Sequence, residues 1–237
     1  MVAVVIVRKS EYRHREEVEM KVCEIFLSIQ GEGPSAGRPA VFLRLAGCNL
    51  KCAWCDSKYA HTQWRELTVE EVMETLEQMR RRDERLVITG GEPLLQRDEV
   101  GKLLDLAAEK FDSLWVEVET NGTFVLPSDW DVSWRVSPKL WAIERYKDYH
   151  WEIWKLLEGY GGLILKWVVS TKQEVDTVAE LVQKYHFPRH SVYLMPLAAS
   201  REEYLKVAPE VWKWCIEYGF RFSPRLQIIH WDTKRGV

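Results

Sequence analysis

The sequence predicts an α/β fold in which parallel strands with outer helices form an incomplete (β/α) TIM-like barrel. Short apolar segments of strand length alternate with amphipathic segments of helix length along most of the chain, a pattern typical of βα units. No Gly-x-Gly-x-x-Gly turn follows a predicted strand, which disfavours a dinucleotide-binding sheet. The chain has 237 residues, fewer than the ~250 of a typical full barrel, so we expect an incomplete one.

The predicted elements follow one another in this alternating order within one domain. We assign residues 1–20 to an N-terminal extension and residues 21–237 to a single domain, because no linker or repeat interrupts them. Thr68 and Glu71 form a capping-box signature that marks the start of the first helix. The predicted strands are 22–29, 38–46, 85–89, 114–119, 132–136, 163–169, 192–195 and 220–229. The predicted helices are 69–79, 100–107, 151–157, 174–185 and 202–218.

Composition excludes several classes of partner. The net charge is -3 and no basic stripe accompanies the 12 tryptophans, so we expect packing or homodimer contacts from them rather than direct binding of nucleic acid. No segment reaches the ~20 apolar residues that a membrane span needs. Cys23 and Cys215 lack the spacing of a disulfide framework and are expected as small buried residues. These features favour a cytoplasmic protein.

Polar clusters follow five of the predicted strands. They are QGEG (30–33), the cysteine loop (46–59), TGGEP (89–93), ETNG (119–122) and SPK (137–139). The carboxyl ends of parallel strands meet at one rim, where barrel enzymes build their active sites. The sequence therefore predicts one cavity bordered by these five loops.

The cysteine loop carries Cys48, Cys52 and Cys55 in a C-x3-C-x2-C pattern. Three thiolates on one loop can bind one soft metal centre, whereas a closed structural site usually has four protein ligands. Three cysteines on a [4Fe–4S] cluster would leave one iron open for chemistry. The alternative is a zinc knuckle that takes a fourth ligand such as His61, but the second Cys or His pair of a zinc module is absent.

Taken together, these motifs resemble the radical S-adenosylmethionine (SAM) superfamily and, within it, the 7-carboxy-7-deazaguanine synthase (QueE) family. The C-x3-C-x2-C pattern with Trp54 and the GGEP motif carry the first resemblance, and SIQGEG, CDS, ETNG and SPK carry the second. The resemblance implies a radical SAM barrel with a [4Fe–4S] cluster, SAM and Mg2+ as cofactors. It further implies a lyase that contracts 6-carboxy-5,6,7,8-tetrahydropterin to 7-carboxy-7-deazaguanine with loss of ammonia, for queuosine or archaeosine in tRNA. An electron donor of the flavodoxin or ferredoxin type and a homodimer are also implied.

The resemblance also implies roles for individual residues. The cluster ligands would be Cys48, Cys52 and Cys55, and Ser57, where relatives commonly have Thr, would bind Mg2+ through its hydroxyl. The expected substrate contacts are Ile29, Gln30, Gly31, Arg44, Thr89 and the Val237 carboxylate. The expected SAM contacts are Trp54, Cys55, Asp56, Gly91, Glu119, Asn121, Ser137, Pro138 and Lys139.

Several alternatives stay open at this stage. Arg44, which lies in an apolar strand, either binds the substrate carboxylate or forms a structural ion pair. Ser57 on its own is an ordinary loop serine, and the glycines could serve turns alone. Two other functions compete with the synthase: a glycyl-radical activase, which would have no need of QGEG, and an iron–sulfur electron carrier, which normally has four cysteines.

Overall fold

The structure is a computed structural model that describes residues 19–80, 85–140, 149–152, 154 and 162–237. Within these residues it contains one mixed sheet and the helices outside it. The strands are β1 (Glu19–Ile29), β2 (Pro39–Leu45), β3 (Arg65–Thr68), β4 (Arg85–Gly90), β5 (Val116–Thr120), β6 (Ser133–Val136), β7 (Leu163–Val169), β8 (Val192–Pro196) and β9 (Arg221–Phe222). The helices are α1 (Val69–Met79), α2 (Arg97–Lys110), α3 (Lys172–Lys184), α4 (Arg201–Tyr218) and α5 (Leu226–Trp231).

The strand order is β3-β1-β2-β4-β5-β6-β7-β8-β9. β1 pairs antiparallel with both β2 and β3, whereas every pair from β2 to β9 is parallel. In the described part of the chain β3 and β9 are the two edges and do not pair with each other, so the sheet is open. This topology confirms the predicted incomplete barrel and places the carboxyl ends of β2 to β9 at one rim. The prediction that QGEG follows a parallel strand at this same rim is wrong, because β1 is antiparallel and ends opposite Pro39, at the amino end of β2.

The two faces of the sheet bury different side chains because residues alternate along a strand. On the outer face, Leu43 and Leu45 belong to the main hydrophobic core together with the apolar residues of the helices. On the inner face, Phe26, Phe42 and Val87 form a small separate cluster, in which the two phenylalanine rings stack 5.0 Å apart. The polar side chains described below lie on this inner face or on the loops at its rim.

Most predicted elements are confirmed by the structure. The capping box at α1 is complete, since the Glu71 amide donates to Thr68 Oγ1 at 3.1 Å and the Thr68 amide to Glu71 Oε2 at 2.9 Å. The sequence reading missed β3. Of the described helices, none combines the length and apolar character that a membrane span requires.

The predicted last strand, 220–229, is wrong. Its first part forms the two-residue β9, but after the Ser223 amide bonds to the Leu194 carbonyl at 2.8 Å the chain turns into α5. Pro224 has no amide hydrogen to continue the ladder, which explains why the strand ends there. The predicted helix 151–157 lies mostly outside the described residues, as does the predicted extension except for Glu19 and Met20, which begin β1.

Candidate active site at the carboxyl ends of the strands

The cysteine loop leaves β2 at its carboxyl end and carries three half-buried free thiols, Cys48, Cys52 and Cys55. The Leu50 amide donates to Cys48 Sγ at 3.4 Å, and Asn121 Nδ2 lies 3.8 Å from the same sulfur. Burial raises the pKa of Cys48 and of Cys52, and these donors lower that of Cys48. Among the described residues, no three Cys, His, Asp or Glu side chains, His61 included, are already arranged around a metal position.

The GGEP loop after β4 lies directly against the start of the cysteine loop. The Glu92 amide donates to the Gly47 carbonyl at 2.8 Å and the Gly91 amide to the Leu45 carbonyl at 3.2 Å. A Cβ on Gly91 would lie 2.0 Å from the Gly47 oxygen and 2.8 Å from Cys48 Cβ. Only glycine therefore permits this close approach, which brings the second motif beside the first cysteine.

Glu92 connects the GGEP loop to the loop after β5. Its fully buried carboxylate accepts hydrogen bonds from Thr120 Oγ1 at 2.8 Å, the Asn121 amide at 2.7 Å and the Leu94 amide at 3.0 Å. Burial raises the pKa of Glu92, and these donors oppose the rise. Asn121 in turn donates to Asn49 Oδ1 at 2.9 Å. Glu92 thus fixes Asn121 against the cysteine loop, a role that the sequence reading did not assign.

A buried chain of charges crosses the inner face. Lys166 Nζ lies 2.6 Å from Glu32 Oε2 and 3.4 Å from Glu119 Oε1. Arg225 lies 3.3 Å from Glu32 Oε1 and also bonds Asp56 on the cysteine loop. Burial raises the pKa of the Glu32 carboxyl, but the nearby Lys166 and Arg225 outweigh it and lower this pKa to about 2. Glu32 is therefore ionised.

Glu119 brings two of the predicted substrate residues together. Thr89 Oγ1 donates to Glu119 Oε2 at 2.9 Å, and Gln30 Nε2 donates to Oε1 at 3.4 Å. These contacts join the loop after β1 to the ends of β4 and β5. The sequence reading missed Lys166, which bonds Glu119, and Arg225, which bonds Glu32. Lys166 could have been found, because a lysine within the apolar segment LILKWVV needs a buried partner.

The SPK residues follow β6 and lie beside the loop after β5. Lys139 Nζ donates to Ser137 Oγ at 2.6 Å, and the Ser137 amide donates to the Thr120 carbonyl at 2.8 Å. The Tyr149 hydroxyl accepts from the Lys139 amide at 2.8 Å. Burial lowers the pKa of the Lys139 ammonium, and the positive charge of Lys166 lowers it further. Ser137, Pro138 and Lys139 thus lie next to the loop that carries Asn121.

Arg44 is held by protein groups in this structure. Its Nε lies 2.7 Å from Glu24 Oε1, which also accepts from the Tyr59 hydroxyl at 2.8 Å. The guanidinium carbon lies 5.9 Å from the ring centroids of both Phe26 and Tyr59. The geometry matches the structural ion pair. A substrate contact through the other two nitrogens of Arg44 stays a prediction.

The remaining predicted residues are placed as follows. Ser57 Oγ donates to Asp56 Oδ1 at 3.2 Å and lies 3.8 Å from Cys55 Sγ. The Gly31 carbonyl accepts from the Leu226 amide at 3.1 Å, which ties the QGEG loop to α5. Ile29 at the end of β1 is 46% exposed, and Trp54 and Val237 are half-buried. Their roles toward ligands stay predictions.

The donor set fits the groups that the sequence implies. Three thiols that form no disulfide share one loop, two hydrogen-bond donors lie beside Cys48, and the missing side chain of Gly91 lets the GGEP loop pack directly against Gly47 and Cys48. The loops at this rim carry both cations and carboxylates, as a zwitterionic ligand such as SAM would require. Cys48, Cys52 and Cys55 would hold the cluster, with Gly91, Asn121 and Lys139 beside it.

Comparison with known proteins agrees with this geometry. A family model described as the radical SAM superfamily matches residues 43–137. A 7-carboxy-7-deazaguanine synthase of Hyperthermus butylicus is 38% identical over 229 residues, covering 89% of this chain and 92% of that protein. The synthase of Pyrobaculum aerophilum is 36% identical over 222 residues, covering 92% of this chain and 97% of that protein.

Solved structures show the same fold. The crystal structure of QueE from Escherichia coli aligns with a TM-score of 0.67 at 25% identity, covering 86% of this chain and 93% of that one. A structure of anSMEcpe with bound AdoMet and a peptide aligns with a TM-score of 0.53 at 17% identity, covering 74% of this chain and 59% of that one. The second likeness concerns the fold alone.

Proposed function

The chain belongs to the 7-carboxy-7-deazaguanine synthase family of the radical SAM superfamily, and from this premise we propose its substrate, cofactors and site residues. The proposed reaction is the contraction of 6-carboxy-5,6,7,8-tetrahydropterin to 7-carboxy-7-deazaguanine with release of ammonia. An enzyme that expels ammonia by breaking carbon–nitrogen bonds is a lyase. We place the product in 7-deazapurine biosynthesis, for queuosine or archaeosine.

One observation carries the proposal for the substrate site. Gln30 and Thr89, from different loops and strands, both donate to Glu119, and Lys166 lies against the same carboxylate. A pterin presents several hydrogen-bond donors and acceptors in one plane, so it needs polar groups from more than one direction. Because Lys166 bonds both Glu32 and Glu119 and all three side chains are mostly buried, they can orient a polar ring without rearranging.

The family implies a [4Fe–4S] cluster and SAM. When bound together they supply the one-electron chemistry that removes a hydrogen atom from the substrate. The chain's own contribution is to hold and shield them. The Leu50 amide and Asn121 favour the thiolate form of Cys48, and Arg225 ties Asp56 of the cysteine loop to Glu32. This tie keeps the loop in a fixed position over the inner face.

We assign Mg2+ to Ser57. Its hydroxyl lies beside Asp56 and Cys55, where it can supply one oxygen to an ion that keeps several waters. Ser57→Ala should abolish the Mg2+ dependence of the rate, and Ser57→Thr should lower the Mg2+ concentration that gives half-maximal rate, because the added methyl restricts the rotamer. A Ser57→Ala enzyme that kept the full Mg2+ dependence would remove Ser57 from the metal site.

The remaining partners belong to the same proposal. A flavodoxin-like or ferredoxin-like protein would supply the electron in the cytoplasm, and a second copy of the chain would complete a homodimer. We assign the exposed Trp212 and Ile216 on α4 as candidates for that homodimer surface, since exposed apolar side chains favour association. The molar mass in solution, measured by light scattering, tests the homodimer without reference to activity.

The test of the proposed reaction is anaerobic reconstitution of the cluster, followed by incubation with SAM, a reductant, Mg2+ and the carboxypterin. We expect 7-carboxy-7-deazaguanine and ammonia in equal amounts. Cleavage of SAM without this product would contradict the substrate and leave the superfamily membership standing. An enzyme with an intact cluster that neither formed the product nor cleaved SAM would contradict the proposed cofactor site.

A further inference from the structure

A cavity of about 280 Å3 opens at the opposite end of the sheet from the cysteines. Its walls include the first residues of four parallel strands: Arg85, Ser133, Leu163 and Arg221. The cysteine loop follows the carboxyl end of β2, whereas these residues lie at the amino ends of the neighbouring strands. The cavity lies on the far side of the QGEG loop from the cysteines, its wall includes Pro34 and Ser35 that follow this loop, and no role assigned so far uses it.

Four guanidinium groups line this cavity, from Arg38, Arg85, Arg135 and Arg221. Two of them are held in place by aromatic side chains. The Arg85 guanidinium lies 4.5 Å from the ring centroid of Trp115, and Arg221 Nη1 donates to the Tyr193 hydroxyl at 3.0 Å. A guanidinium that is already fixed loses little conformational entropy when it binds a ligand.

The described residues do not balance this positive charge. Among the described residues, the Glu117 carboxylate bonds two of these arginines, Arg85 at 2.9 Å and Arg135 at 3.3 Å. It also accepts a hydrogen bond from the Ser35 hydroxyl. No aspartate or glutamate of the described chain lines the cavity itself. Four guanidinium groups thus face one carboxylate, an excess of positive charge in a partly enclosed space.

Arg135 shows most directly that a partner is missing from the described groups. Arg135 is only 7% exposed, yet its Nε has no hydrogen-bond partner within the described structure. A buried donor without an acceptor is costly, and one on a charged group more so. An anion in the cavity could accept from it.

We propose that this cavity binds a polyvalent oxyanion of the phosphate class. Guanidinium forks match the spacing of phosphate oxygens and bind them in pairs. The volume equals that of roughly nine water molecules at ~30 Å3 each, which is more than a single phosphate group needs and suits a diphosphate. A monovalent anion such as acetate would leave most of the positive charge unmatched.

The test is calorimetric titration of the full-length, cluster-loaded protein with inorganic pyrophosphate, at physiological salt and without added Mg2+. We expect saturable binding of one pyrophosphate per chain and no saturable binding of acetate. Arg38→Gln and Arg221→Gln should each weaken binding about tenfold or more, since each removes a charge-assisted contact. The matched control is Arg65→Gln, which removes one exposed arginine from β3, at the far edge of the sheet, and should change nothing.

Three results would overturn the proposal: no saturable binding of pyrophosphate, an equal loss in Arg65→Gln and Arg38→Gln, or unchanged binding in the cavity variants with displacement by SAM. The last result would place the anion at the carboxyl ends of the strands. Arg38 is exposed and makes no ion pair with the described residues, so Arg38→Gln is expected to fold even if Arg221→Gln does not. Circular dichroism of each variant checks the fold.

Discussion

Replacing Lys166 by methionine should destabilise the fold by about 3 kcal/mol, because it leaves the Glu32 carboxylate buried without its nearest cation. The two groups are 2.6 Å apart, and their side chains are only 6% and 13% exposed. Removing one partner of a buried pair typically costs about 3–5 kcal/mol. We expect the lower end of this range, because Arg225 and Gln227 still contact Glu32.

The lowered pKa of Glu32 has the same physical origin, since Lys166 is the largest of the groups that lower it. A carboxyl pKa of about 2 rather than 4.5 corresponds to about 3 kcal/mol of stabilisation at neutral pH, to which Lys166, Arg225 and Gln227 all contribute. The sign follows from the lowered pKa. The stabilisation is complete above the unfolded value of 4.5 and is lost as the pH falls toward 2.

Denaturant unfolding followed by tryptophan fluorescence, at matched iron content, measures these costs. The double variant Glu32→Gln/Lys166→Met should cost at least about 2 kcal/mol less than the sum of the single variants, since neither charge is then left alone. Lys206→Met is the matched control. Lys206 lies at the same 2.6 Å from Glu202, but both side chains are exposed, so its loss should cost no more than about 0.5 kcal/mol. Additive costs, or equal losses for Lys166→Met and Lys206→Met, would show that Glu32 and Lys166 do not form a stabilising buried pair.

Three further predictions test the site and the charges around it. Alanine at Cys48, Cys52 or Cys55 should reduce bound iron and sulfide to background, whereas Cys23→Ala and Cys215→Ala should retain both; equal iron contents would contradict the ligand set. Gly91→Ala should displace the GGEP loop and abolish SAM binding, measured by equilibrium dialysis, because its Cβ would meet the Gly47 oxygen at 2.0 Å. Gly101→Ala, with its nearest contact at 3.6 Å inside α2, should bind SAM normally and gain up to about 1 kcal/mol. Glu32→Gln should reduce the fall in the free energy of unfolding between pH 4.5 and 2. An unchanged fall in this variant would show that Glu32 does not cause it.

The sequence predicted the elements whose signals are local. Thr68 and Glu71 marked the start of α1, and the apolar segments 85–89 and 163–169 reappear as β4 and β7. The cysteine spacing and the GGEP motif could be read directly. What the sequence reading missed depends on contacts between distant residues. Arg225 is 193 positions from Glu32 in the sequence and Lys166 is 134 positions from it, so no local sequence pattern predicts either pair.

The last strand was mispredicted for a related reason. Residues 220–229 are rich in apolar side chains, as a strand would be, but Pro224 and the contact of Gly31 with Leu226 divert the chain into α5. That helix carries Gln227, which donates to Glu32 at 2.7 Å. The segment therefore closes the rim, and tertiary contacts override its strand-like pattern. The burial of Arg44 could be predicted from its apolar neighbours, but its ion pair with Glu24 could not.

We propose that the open iron, SAM and the carboxypterin share one space at the carboxyl ends of the strands. Electron paramagnetic resonance of the reduced, reconstituted protein tests it directly, with SAM whose carboxylate carries a magnetic oxygen isotope. We expect this isotope to broaden the cluster signal, and addition of the carboxypterin to change the signal again. A cluster spectrum unaffected by labelled SAM and by the carboxypterin would contradict the claim.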